Sequence, residues 1–190
     1  MMASESKDHL SIPARRVKAI HSTSLAVFAV AVAIALVPSA AGSADGEGSA
    51  IYGVTIPSGY RGWEVASVAH EAGSLNDIRA ILGNPLAMKA FRDGTHPFPD
   101  GAIIARLAWK DTPSDENNAV FGRFQSFVAG AATNVQFMVK DTTKYASTGG
   151  WGFGQFEDGK PNREEAVLKT CFPCHQPEKG QDFVFTRYAP

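Results

Sequence analysis

Hydrophobic and polar positions alternate with a period of two along much of the chain, the spacing of half-buried β-strands. From Trp63, the positions Trp63, Val65 and Ser67 stand against Glu64, Ala66 and Val68, which predicts a strand over about 62–69. Asp77 to Leu82 predicts a second strand, ended by Gly83. Asn84-Pro85 fits the cap and first position of a short helix over 85–91, followed by a turn-rich loop from 94 to 101. Residues 102–110 give the clearest alternation, with Ile103, Ala105, Leu107 and Trp109 on one face and Ile104, Arg106 and Ala108 on the other. After a polar loop over 111–118, further strands are expected at 121–128, 135–139 and 150–156. One helical turn is expected at 142–145, and Asp158-Gly159 closes the 150–156 strand.

Asn162-Arg163-Glu164-Glu165 places acids in the first turn of a helix, where the macrodipole favours them. That helix runs through Ala166, Val167 and Leu168 into Cys171, and a last strand is expected over 181–188. The sum predicts an α+β domain. Its body is an antiparallel sheet of five to seven strands with a few short helices, and a C-terminal helix presents the candidate chemistry. The 18 glycines and 11 prolines fit many short elements better than a long helical bundle.

The first 44 residues follow another pattern. Arg15, Arg16 and Lys18 precede an apolar run from Leu25 to Val37, then Pro38 and the small residues 39–44. This is the layout of a secretory signal peptide, with cleavage after Ala41 or Ala44. The run is short for a bilayer span, which needs about 20 apolar residues. Residues 45–190 are then the mature domain, exported to the periplasm and free of a membrane anchor. Removing four basic and two acidic residues from totals of 18 and 19 leaves 14 and 17, a formal charge of −3. That balance gives no electrostatic case for nucleic acid as a partner.

The two cysteines of the chain stand together in Cys171-Phe172-Pro173-Cys174-His175. C-x-x-C-H is the pattern of covalent c-type haem attachment. Two thiols at this spacing reach the two vinyl groups of one haem, and the adjacent imidazole serves as proximal iron ligand. A thioredoxin-like redox pair, a structural disulfide and half of a zinc site are the competing readings of Cys-x-x-Cys. No second Cys/His cluster completes a zinc site, and the motif agrees with the export signal on compartment. One covalent haem c is therefore the expected cofactor. No methionine follows His175; Met88 and Met138 lie upstream, and His70 and His96 sit in polar stretches. A five-coordinate iron with an open distal side is the leading expectation. A six-coordinate electron carrier using Met138, His70 or His96 is the alternative.

Several short motifs add to this in order: Tyr60-Arg61-Gly62-Trp63, Phe98-Pro99-Asp100-Gly101, Val139-Lys140-Asp141, Gly150-Trp151-Gly152-Phe153, the C-x-x-C-H run, and Asp182 to Tyr188. Together they resemble the cytochrome P460 family, which includes the cytochromes c′-beta. The resemblance implies a largely antiparallel β fold, a homodimer, one c-type haem and a vacant distal site. Its hydroxylamine-oxidising members link a lysine to the macrocycle; the matching position here is Arg106, a poor nucleophile because it stays protonated. Lys110 is four residues away, about 13 Å along a strand. Those members also use a distal carboxylate, and the matching position is Gln136, which cannot act as a general base. Both departures weigh against hydroxylamine oxidation.

The expected function is a periplasmic haem protein that binds or transforms small nitrogen species, nitric oxide above all, with an unidentified redox partner. Cys171, Cys174 and His175 hold the haem. Arg106 and Gln136 are the distal candidates, and Arg187 is a candidate for a propionate or the proximal side. Phe137, Trp151 and Phe153 are candidate haem walls, with plain core packing as the other reading of each.

Overall fold

The computed structural model describes residues 46–189. The expected signal segment, 1–44, lies outside the described residues. No helix among the described residues is long and apolar enough to cross a membrane.

Six strands form one antiparallel sheet in sequence order: β1 (Glu64–Glu71), β2 (Asp77–Gly83), β3 (Ile103–Pro113), β4 (Phe127–Lys140), β5 (Trp151–Glu157) and β6 (Lys160–Pro161). Among the described residues, three α-helices accompany it: α1 (Pro85–Asp93), α2 (Asp115–Phe121) and α3 (Glu165–His175). The fold is α+β, as the alternation predicts.

The two faces of β3 explain the layering. Ala105 and Leu107 face a core that includes Val54, Leu82, Phe137 and Phe156. Ile104 faces a second core made with α1 and the segment after α3, including Met88, Phe91, Trp151, Phe153 and Phe183. Arg106 shares the Ile104 face, beyond the end of that core, where the sheet is left open to a cavity. The registers Arg106↔Gln136 and Gln136↔Gln155 put one residue from each of β3, β4 and β5 in a single row across that face.

Asn84 fixes the junction between β2, α1 and β3. Its Oδ1 accepts from Ala87 N–H at 2.9 Å as an N-cap and from Ile103 N–H at 3.1 Å; its Nδ2 donates to Gly101 O at 2.8 Å. Asn84→Ala removes all three bonds and is expected to cost about 1–2 kcal/mol, at the upper end for a cap. Urea unfolding followed by far-UV circular dichroism measures it.

Two expected strands are absent. Over 121–128 the chain instead ends α2 at Phe121 and turns through Gly122 at φ 66°. Asn118 Oδ1 accepts from both Gln125 N–H and Ser126 N–H, and this local side-chain bonding wins over the aromatic alternation. The 135–139 strand is longer than expected, because β4 begins at Phe127. Over 181–188, Asp182 and Phe183 take φ of 51° and 65°, which no extended strand accommodates. The turn at 142–145 does form: Tyr145 N–H donates to Asp141 O at 3.0 Å.

Candidate haem site

Helix α3 carries Cys171-Phe172-Pro173-Cys174-His175 as its final stretch. Cys171, Cys174 and His175 all line one cavity of about 790 Å³, bounded by α3, residues 184–187 and the open face of the sheet. That volume lies within the roughly 300–1,000 Å³ of cofactor and ligand sites. Both thiols are uncommitted: neither forms a disulfide. Burial pushes the Cys171 thiol above its ordinary value, against the effect of a backbone hydrogen bond, and so favours the protonated form.

His175 is held by one bond. Its Nδ1 lies 2.7 Å from Phe183 O. A carbonyl only accepts, so Nδ1 carries the hydrogen and Nε2 keeps its lone pair for a metal. Burial lowers the His175 pKa, with the Phe183 bond acting in the opposite direction. The neutral ring that ligation needs is thereby favoured. Phe153 and Phe185 flank it, with ring centroids at 5.2 and 5.0 Å.

The carbonyl that holds His175 is itself fixed by a buried ion pair. Lys140 Nζ donates to Asp182 Oδ1 and Oδ2 at 2.7 and 2.8 Å and to Gly149 O at 3.0 Å. The two side chains are only 2% and 7% exposed, so neither charge has water as a substitute partner. Asp182 Oδ2 also accepts from Phe98 N–H, and Asp182 O accepts from Trp151 Nε1. These bonds stabilise two consecutive left-handed residues, each costing about 1–2 kcal/mol outside glycine. Gly149 completes the arrangement: a Cβ there would collide with the Phe183 ring.

The sheet side of the cavity has an apolar row and a polar row. Ile104, Met138 and Phe153 lie in register on β3, β4 and β5. Two residues along, Arg106, Gln136 and Gln155 form the neighbouring row. Arg106 Nη1 donates to Gln136 Oε1 at 3.3 Å and to Asn134 Oδ1 at 2.8 Å, and its Nη2 donates to Asp77 Oδ2 at 2.6 Å. Gln136 Nε2 donates to Gln155 Oε1, and Gln155 Nε2 donates to Glu157 Oε1. Asp77 Oδ1 accepts from Arg79 Nε and Nη2. The sheet thus carries a continuous hydrogen-bonded band from β2 to β5.

Arg106 and Gln136 therefore do meet, and both line the cavity with His175. Arg187 also lines it, but its Nη1 is occupied by the carbonyls of Val184, Phe185 and Thr186 and its Nη2 pairs with Glu178. It fastens the C-terminal segment. Lys110 reaches the cavity lining at the exposed end of β3. His70 pairs with Asp111 at 3.1 Å, and neither His70 nor His96 is part of the cavity wall. Met138 is in the wall, whereas Met88, on α1, is buried in the core. Of the three aromatic candidates, Phe153 and Phe137 both border the cavity, although the Phe137 ring packs on the opposite face against Tyr60 and Phe156. Trp151 is buried core.

Sequence reasoning missed Asp77, Arg79, Gln155 and Asp182. Asp77 and Arg79 alternate within an expected strand, a usable signal had the facing of β2 been known. Asp182 stood out only as the first residue of the Asp182–Tyr188 motif, with no role attached, because that role depends on a left-handed turn.

The donor set suits a c-type haem: two free thiols, a neutral imidazole with Nε2 available, and one cavity shared by all three. When bound, the haem would supply an iron that His175 Nε2 could ligate. No curated protein matches the chain. The family model described as Cytochrome P460 matches residues 57–186, which span β1 to the end of the site. The chain belongs to the cytochrome P460 family and is a c-type haem cytochrome of the P460 type.

Proposed function

We propose that the protein is an exported mono-haem cytochrome that binds or transforms small nitrogen species, nitric oxide above all, at an open distal iron. One haem is held covalently through Cys171 and Cys174, with His175 as proximal ligand. The observation that carries this reading is the cavity these groups share. It joins a carbonyl-fixed His175 to a sheet wall whose polar groups, Arg106, Gln136 and Gln155, hydrogen-bond one another.

Hydroxylamine oxidation is the weaker form of the proposal. Arg106 stands where the family's oxidases link a lysine, and its guanidinium is tied to Asp77, Asn134 and Gln136. Gln136 stands where they use a carboxylate, and an amide does not take up a proton near neutral pH. A homodimer belongs to the same reading. Phe121, Phe124, Phe127 and Val128 are exposed at the tip of the β3–β4 hairpin, and apolar surface of this kind marks interaction sites.

A second reading has one observation in its favour: Met138 lies in the apolar row of the cavity wall. A thioether there would make the iron six-coordinate and the protein an electron carrier. The ferrous absorption spectrum of the matured protein separates the two. A high-spin five-coordinate spectrum that shifts on adding nitric oxide is expected. A low-spin spectrum indifferent to nitric oxide would leave the electron carrier.

A further inference from the structure

The polar wall of the cavity carries a cluster of paired charges. Four charged side chains from three strands form one connected cluster: Glu71 of β1, Asp77 and Arg79 of β2, and Arg106 of β3. Asp77 accepts from Arg79 through Oδ1 and from Arg106 through Oδ2, and Arg79 Nη1 also lies 3.3 Å from Glu71 Oε1. Two guanidinium groups face two carboxylates, so the cluster has no net charge. Asp77 is the hub: its side chain is 5% exposed, and it alone touches both arginines.

Solvent screens these groups unequally. The side chains of Arg79 and Arg106 are 14% and 16% exposed, whereas that of Glu71 is 50% exposed. A charge left uncancelled at Asp77 or Arg106 would act on the cavity through little water, where Coulomb interactions are several times stronger than in bulk. The remaining lining charges are Lys110, at the exposed end of β3, and Arg187, paired with Glu178. Water screens both.

We propose that Asp77 determines ligand specificity: it cancels the charge of Arg106 and holds that side chain in the wall, so the cavity favours small neutral ligands over anions. The inference rests on the open-iron reading above and deepens it. Without Asp77, Arg106 keeps its Asn134 and Gln136 bonds but gains an uncompensated positive charge beside the cavity. An anionic ligand is then favoured by that charge, while a neutral diatomic one responds little.

The test compares two probes on the matured holoprotein: azide binding to the ferric form and carbon monoxide binding to the ferrous form. Asp77→Asn is expected to raise the azide-to-carbon-monoxide affinity ratio by about tenfold or more. Arg106→Gln, which leaves the cluster net negative, is expected to lower the ratio. A ratio unmoved in Asp77→Asn overturns the proposal, as does an equal shift for both probes, which would report a loosened pocket. If Asp77→Asn does not fold, Arg106→Gln decides alone, and an unchanged ratio overturns the proposal. A wild-type protein that takes neither probe overturns the open-iron reading, and this inference falls with it.

Discussion

Asp182→Ala is expected to destabilise the protein by about 3–5 kcal/mol, the range for removing one partner of a buried ion pair. The variant strands Lys140 in the core. Its ammonium keeps only Gly149 O and the Trp151 ring, whose centroid is 4.9 Å away. Phe98 N–H loses its acceptor as well. Chemical denaturation followed by far-UV circular dichroism measures the loss. The double variant Lys140→Met with Asp182→Leu should lose less than Asp182→Ala, because no unpaired charge remains. A double variant that is worse than the single would show that shape, not charge, dominates the site. The single variant also loosens the turn that presents Phe183 O, so the hydrogen bond that holds the His175 ring weakens. A change in the iron–imidazole stretching band should accompany the drop in stability.

The second large effect is all-or-none. Cys171→Ala combined with Cys174→Ala is expected to yield protein from which acid-acetone removes all haem colour, whereas the wild type keeps it. The fold should survive, since Cys174 is exposed and Cys171 only borders the core. Retained secondary structure with lost colour would therefore assign the two thiols to tethering. Colour that persists after extraction of the double variant would refute covalent attachment through this pair. Each single variant should hold its haem by one bond.

Most of the sheet was legible in the chain because its strands face two different environments. On β3, Ile104 and Arg106 separate cleanly from Ala105 and Leu107, and the structure uses that division to build core on one side and cavity on the other. Asn84-Pro85 announced α1, and C-x-x-C-H announced the site. The alternation around Phe124 misled because its aromatic residues are exposed, so their spacing recorded no buried face. The 181–188 segment misled because β-prone residues such as Phe183 and Val184 are packed as a turn. The buried Lys140–Asp182 pair, 42 residues apart in the chain, overrides their local preference. Charged networks of this kind leave no periodic trace. The Asp77 hub joins β2 to β3 through a register that only the folded sheet defines.

The sheet is a simple meander in which every strand pairs with the next one in the chain. Its last ladder closes at Pro161, ahead of α3, so synthesis from the N-terminus lets the strands zip up before the helix with the two thiols emerges. The tether residues reach a platform that is already assembled. A pigment bound there would serve as the last layer of a half-finished interior, laid down after the rest.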